Sequence, residues 1–309
     1  MTKKGTGFYS VKQAAIVICI VALYLLVSFL LIGFNSDQLL LSFIFCAAYF
    51  STAISRKFII GFAIFIVYWI IFDYMKAFPN YAYHDVNILK LHNTELAFFG
   101  IHHNKQLITP NEFWLLHSNT FLDIMSGVFY LCWIPVPLAF AAWLFFKDKE
   151  IFLQFALTFV LVNFIGFVIY YVYPAAPPWY FQKYGAVFVA HTPGNSAGLQ
   201  RFDDYFNAGV FKGIYAKSSN VFAAMPSLHS SYPVIVLYYG LREKLGWVNV
   251  MFAVVMVGIW FAAVYTSHHY LLDVLAGITC AIAGIVIFQQ LILRVPPVQK
   301  FLRFYHSKI

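Results

Sequence analysis

Charge is what this sequence has least of. Asp, Glu, Lys and Arg make up only 10% of its 309 residues, where soluble domains carry about 25%. So little charge cannot cover the surface of a soluble globule, and that class is excluded. Cysteine is nearly as sparse. Cys19, Cys46, Cys132 and Cys280 fall far apart, each inside an apolar run, and read as small buried hydrophobes rather than a disulfide framework. There is no HExxH and no second His/Asp pair at helical spacing, so neither a metal nor a cofactor is expected. Internal repeats, low-complexity tracts and soluble linkers are also missing. One membrane domain spanning 1–309 is the economical reading.

What is present is apolar and aromatic: 62% and 20% of the chain respectively. A membrane helix needs roughly 20 apolar residues. Candidate spans run over 13–33, 38–54, 58–75, 121–146, 151–173, 228–241, 247–266 and 270–293. The expected fold is therefore an all-α polytopic bundle of about eight transmembrane helices, with a range of six to eight because the second and sixth are short. The run behind "MTKKGTGFYSVK" is too long for a signal-peptide core and no small-residue cleavage site follows, so it reads as the first anchor.

The net charge of +8 suggests nucleic acid at first sight, but the positive-inside rule accounts for it. With a cytoplasmic N-terminus, the inner segments hold Lys3, Lys4 and Lys12, then Arg56 and Lys57, Lys147 and Lys149, Arg242 and Lys244, and finally Arg294, Lys300, Arg303 and Lys308. The remaining basic residues are spread over two longer outer loops, about 76–120 and 174–226. No nucleic-acid partner is expected. In this topology nine of the ten histidines are outer and only His306 is inner. The absence of a targeting segment beyond the first helix favours a bacterial inner membrane, with the outer face periplasmic or lumenal.

Two stretches carry chemistry. In "PSLHS", Ser227 and His229 stand where the sixth span begins. A helix start offers free N–H groups and the positive end of its dipole, a ready anion site. In "TSHHYLLDVLAG", His269 and Asp273 are four residues apart at the start of the eighth span. That spacing shares a helix face, and a carboxylate beside an imidazole fixes its tautomer. The short connection before it keeps His269 on the same face as His229. Together they fit phosphoryl transfer: His269 as nucleophile, His229 giving and taking a proton, Ser227 capping the helix or binding a phosphate oxygen. His268 points about 100° away on a helix, and either binds substrate or sits at the interface.

"PSLH" (226–229) and "HYLLD" (269–273) resemble the second and third motifs of the type 2 phosphatidic acid phosphatase (PAP2) superfamily, PSGH and SRxxxxxHxxxD. The resemblance implies a phosphohistidine on His269. Two features depart from that pattern. The arginine six residues before the histidine is replaced by Ala263, and no KxxxxxxRP occurs. "YPAAPPWYFQKYG" (173–185) stands in its place, and "APPWY…MPSLHS…HHYLLD" is similar to the inositol phosphorylceramide synthase branch. That branch implies lipid substrates, phosphatidylinositol and ceramide, and a catalytic core at 115–293, after N-terminal helices and a first outer loop at 1–114 and before a basic cytoplasmic tail at 294–309. The lost cations agree with it, because a monoester carries nearly two charges at neutral pH and a diester one. Lys183 is the first candidate to replace them, or else an interfacial lysine among lipid phosphates. Arg201, Lys212 and Lys217 are further candidates.

Other residues divide between site and scaffold. Trp179 and Tyr180, just past a helix end, either shape the lipid pocket or form an interfacial aromatic belt. Asp123, inside the fourth span, is a carboxylate at membrane depth and a candidate for the substrate site. Asp203 and Asp204 either recognise a polyol or cap a helix. Residues 93–107 are expected to lie flat at the interface as a lid. The rival functions are a lipid phosphate or polyprenyl pyrophosphate phosphatase, and a proton-relaying transporter. The latter lacks the expected related halves.

Overall fold

Helix caps written into the sequence punctuate the chain from its start. The computed structural model describes residues 10–217 and 220–309; Lys3 and Lys4 lie outside them. Ser10 and Gln13 form a capping box that starts α1 (Val11–Ile32). Asn35 caps α2 (Ser36–Ser51), and Thr52, pairing with Ser55, stops that helix and starts α3 (Ala53–Tyr74). The first long connection then forms α4 (Leu89–Phe99), a hairpin of β1 (Ile101–His103) and β2 (Gln106–Ile108), and α5 (Pro110–Leu116). Next come α6 (Thr120–Leu131), α7 (Pro135–Lys147) and α8 (Lys149–Val172). The second long connection holds α9 (Pro178–Tyr184), α10 (Gln200–Phe206) and α11 (Val210–Ala216). The chain closes with α12 (Leu228–Arg242), α13 (Trp247–Tyr265), α14 (Leu271–Val286) and α15 (Pro296–His306).

The architecture is the expected all-α membrane bundle, and the protein is an integral membrane protein. Among the described residues six runs are long and apolar enough to cross a bilayer: Val11–Ile32, Ala53–Ala77, Thr120–Lys147, Lys149–Val172, Trp247–Tyr265 and Leu271–Arg294. The other two expected spans, α2 and α12, have 16 and 15 residues, about 24 Å or less at 1.5 Å per residue.

Two local expectations are corrected. The span read as 121–146 is broken at Cys132–Ile134, because Pro135 and Pro137 supply no N–H to the preceding turn. The stretch 93–107 is helical only to Phe99. Asn104 and Lys105 then take positive φ (46° and 67°) and turn the chain into the β1–β2 hairpin, as a two-residue loop requires.

The core is built on α8, with Phe152, Phe155, Val162 and Tyr170 buried along its length and α3, α7, α12 and α14 packed around it. Its rings interlock edge to face with Phe65, Phe140 and Phe145. Inside a bilayer such van der Waals packing, not the hydrophobic effect, holds helices together. By contrast α1 buries only Val17 and Ser28 and turns its leucines and isoleucines outward.

At one end of the bundle the two long connections are tied together by hydrogen bonds of a buried asparagine. Asn80 Nδ2 donates to the Tyr170 and Phe222 carbonyls (2.8 and 2.9 Å). Ala175 bridges to Asn87 on one side and Ala223 on the other. This small backbone mat fixes the segment that leads into residues 226–229.

Candidate active site

The two sequence motifs meet backbone to backbone. Ser227 N donates to the Asp273 carbonyl (2.9 Å), and Ser231 Oγ donates to the Gly277 carbonyl (2.7 Å). Gly277 permits this contact, since a Cβ there would lie 2.1 Å from the Ser227 oxygen. The first turns of α12 and α14 are thereby held side by side, and the His229 and His269 rings meet edge to face with centroids 5.7 Å apart.

Each ring is anchored through Nδ1. His269 Nδ1 lies 2.9 Å from the Ala224 carbonyl and 3.6 Å from Asp273 Oδ2. The hydrogen bond goes to the carbonyl, and the carboxylate adds its charge from just beyond hydrogen-bond range. A carbonyl can only accept, so the proton of neutral His269 sits on Nδ1 and the lone pair on Nε2. His229 Nδ1 is 2.9 Å from the Tyr130 hydroxyl, and the Trp133 ring packs 4.2 Å from the His229 ring. Among the described residues neither Nε2 has a hydrogen-bond partner.

His269 and Asp273 do come together, but not on one helix face. α14 begins at Leu271, with Tyr270 as its N-cap, so His269 precedes the helix. Asp273 reaches back and accepts the Tyr270 N–H at 2.8 Å. Its other oxygen, Oδ1, is buried without a hydrogen-bond partner. The segment carrying His269 is braced by α13, α5 and α4. Both His268 N and His269 N donate to the Ala263 carbonyl (3.1 and 3.0 Å). Asn111 Nδ2 donates to the carbonyls of Val264 and His269, both at 2.8 Å. Glu95, fully buried on α4, accepts the N–H groups of Leu271 and Leu272 (2.9 and 3.1 Å). Burial pushes the Glu95 carboxyl up to about 7, against the lowering effect of those two hydrogen bonds.

The remaining sequence candidates are placed as follows. Ser227 is the N-cap of α12, but its hydroxyl caps no backbone N–H; it lies 3.0 Å from the Ser230 hydroxyl. The α12 start is thus left uncapped by its own side chain. His268 turns away from Asp273: its Nδ1 meets Thr266 Oγ1 at 3.0 Å, and its ring packs on Tyr215. Burial, with the neighbouring His269, pushes His268 down to about 3, so the ring is neutral. Asp123 Oδ1 is engaged by Arg201 Nε (2.6 Å) and the Tyr265 hydroxyl (2.8 Å). Lys183 is exposed on α9, its ammonium over the Tyr184 ring. Lys217 pairs with Asp37 at 2.7 Å.

Trp179 and Tyr180 are buried, not an interfacial belt. The Tyr180 hydroxyl donates to the Val187 carbonyl and accepts the Val189 N–H, while Trp179 N donates to the Ser267 carbonyl (3.0 Å). The prolines that start α9 turn the chain back on itself, so both rings are packed inside rather than left at the surface. Asp203 caps the start of α11, accepting Phe211 N and Lys212 N. No group of three or more His, Cys, Asp or Glu suited to a metal occurs among the described residues.

Sequence reasoning missed Tyr130, Trp133, Asn111, Glu95 and the Ala224 carbonyl. Tyr130 had a signal: it lies seven residues after Asp123, two turns along the same helix face. A backbone carbonyl has no residue-type signature at all.

An all-helical membrane bundle with two opposed, Nδ1-anchored histidines at the end of adjacent helices defines a class of membrane-embedded site. The chain belongs to the PAP2 superfamily, whose family model matches residues 99–287. It is 41% identical over 302 residues to a phosphoinositol dihydroceramide synthase of Bacteroides thetaiotaomicron, covering 97% of this chain and 99% of that protein. It is also 30% identical over 188 residues to the inositol phosphorylceramide synthase of Candida albicans, covering 56% of this chain and 38% of that one. The corresponding catalytic subunit of Saccharomyces cerevisiae is 31% identical over 179 residues, covering 56% and 43%. No solved structure matches the chain.

Proposed function

We propose that this protein transfers a phosphoinositol headgroup from phosphatidylinositol to a ceramide-type lipid hydroxyl, through a phosphohistidine on His269. The observation that carries the reading is the pair of edge-to-face imidazoles, each held through Nδ1 with Nε2 unengaged. The full-length likeness to a phosphoinositol dihydroceramide synthase supplies the substrate classes.

In the first half-reaction His269 Nε2 attacks phosphorus, the P–O bond to diacylglycerol breaks, and His229 gives its Nε2 proton to the leaving oxygen. In the second, neutral His229 takes the proton of the acceptor hydroxyl, whose oxygen attacks phosphorus and frees His269. The Ala224 carbonyl and Asp273 keep the proton of His269 on Nδ1 and offset the charge it gains. The uncapped start of α12 faces the phosphate oxygens with backbone N–H groups. Ser227 contributes its hydroxyl there, and His268, Asp123 and Lys183 belong to the surrounding substrate-binding shell. Trp179 and Tyr180 hold the loop that roofs it. The machinery resides in 115–293, behind the N-terminal helices and first outer loop of 1–114, and the basic tail and both termini lie on the cytoplasmic side. The site opens to the opposite face of a bacterial inner membrane.

The test uses purified protein in detergent with labelled phosphatidylinositol, with and without ceramide, beside His269→Ala. The reading expects phosphoinositol-ceramide only when ceramide is present and none from the variant. Release of inorganic phosphate from phosphatidic acid at a comparable rate would make the protein a phosphatase instead.

A further inference from the structure

The two histidines of the site have unlike partners. Behind His269 stand a carbonyl, which only accepts hydrogen bonds, and a carboxylate. Those groups suit a nucleophile, because they hold Nδ1–H in place and leave Nε2 with its lone pair. Behind His229 stands a hydroxyl, Tyr130 Oη at 2.9 Å, and no carboxylate. A hydroxyl both donates and accepts. It can therefore follow a ring that is an imidazolium at one moment and neutral at the next.

The surroundings of Tyr130 are built for this. Its side chain is fully buried, 0% exposed, one turn ahead of Trp133, whose ring packs 4.2 Å from the same imidazole. The Tyr130 ring packs against Phe211 of α11 and against His268, with centroids 6.5 and 5.5 Å apart, and these contacts hold its hydroxyl at the imidazole. Two elements, α6 and α12, thus meet at one ring nitrogen.

Building on the two-histidine reading above, we infer that Tyr130 is a positioning residue for His229. Its hydroxyl holds Nδ1 so that Nε2 delivers a proton to the departing diacylglycerol oxygen and recovers one from the acceptor hydroxyl. Tyr130 touches neither lipid and acts only through the imidazole.

The leaving group tests this. Diacylglycerol leaves as a basic alkoxide unless it is protonated; 4-nitrophenol leaves readily without help. First-turnover release of diacylglycerol from phosphatidylinositol and of nitrophenol from 4-nitrophenyl phosphoinositol is measured for the wild type, Tyr130→Phe and His229→Ala. General acid help is worth about 10²–10⁴-fold, and loss of its positioning forfeits part of that. Tyr130→Phe is expected to slow diacylglycerol release about 10- to 100-fold and nitrophenol release by less than about 3-fold. His229→Ala follows the same pattern with a larger loss. Tyr130→Met fills the same space with a flexible apolar side chain and no hydroxyl, so it serves if the phenylalanine variant folds poorly, with the same expectation. Equal losses on the two donors, or no loss on either, would overturn the role of Tyr130. A His229→Ala loss that ignores the leaving group would instead remove the proton-transfer reading beneath it.

Discussion

Gly277→Ala is the sharpest test of how the two motifs are aligned. The added methyl would sit 2.1 Å from the Ser227 carbonyl oxygen and 3.0 Å from its carbon, where ordinary contact begins near 3.4 Å. The shortfall from oxygen is about 1.3 Å, and it is backbone against backbone, so no rotamer change relieves it. Either α12 moves off α14 or both bend, and Ser227 is two residues from His229. Overpacking of this kind costs about 1–3 kcal/mol. A displacement near 1 Å at the reacting groups costs about 10²-fold in rate. Headgroup transfer by Gly277→Ala is therefore expected to fall about 100-fold, with a modest drop in thermal unfolding temperature in the same micelles. Gly213→Ala, where nothing lies within 4 Å, is the matched control. If Gly277→Ala kept half or more of wild-type activity, the helix contact would not set the histidine geometry.

Other expectations concern the supports of the site. His269→Ala should abolish acid-labile ³²P incorporation from labelled donor, whereas His229→Ala should retain slow labelling of His269 and fail mainly in turnover, as intact-protein mass spectrometry would show. Glu95→Ala leaves the Leu271 and Leu272 N–H groups without their acceptor and should destabilise the fold by about 2–4 kcal/mol in calorimetry. Because Glu95 is raised from 4.5 to about 7, the folded protein holds a proton that the unfolded chain releases across that window. Stability should therefore fall as pH rises from 4.5 to 7, and Glu95→Gln should flatten that slope relative to wild type. Arg201→Ala strands Asp123, whose side chain is 11% exposed, and should lower stability by about 1–2 kcal/mol in a thermal melt.

The membrane class, the long apolar runs and the meeting of His229, His269 and Asp273 were legible because each has a local signature: stretches of apolar residues, a helix start rich in small polar residues, and a four-residue His–Asp spacing. The break at 132–134 was visible as "IPVP", but apolar count alone cannot separate a bent span from a straight one. The fates of Trp179 and Tyr180 were not legible, since an aromatic just past a helix end meets either lipid or a folded-back loop. Which one depends on the α9 turn and on Asn80, 90 residues from its Tyr170 partner. Most of what orients the imidazoles is likewise long-range: Tyr130 is 99 residues from His229, and the Ala224 carbonyl is 45 from His269.

The departures from the PAP2 pattern bear on substrate charge. Ala263 replaces the arginine of the third motif, and its side chain is fully buried in an apolar cluster with Tyr130, Leu199 and Phe202. The backbone there still serves the site, accepting both His268 N and His269 N, so only the cation has gone. Among the loop cations proposed to replace it, Arg201 is paired with Asp123, Lys217 with Asp37, and Lys183 lies exposed. A phosphodiester presents one negative charge, which the α12 start and a protonated histidine can meet. A monoester brings nearly a second. Each missing charged hydrogen bond is worth about 1.5–3 kcal/mol, so two of them amount to about 3–6 kcal/mol, more than a hundredfold in rate. Phosphate release from phosphatidic acid should therefore run at least about 100-fold slower than headgroup transfer from phosphatidylinositol under the same conditions. Comparable rates would mean that the missing cations do not set the charge of the substrate.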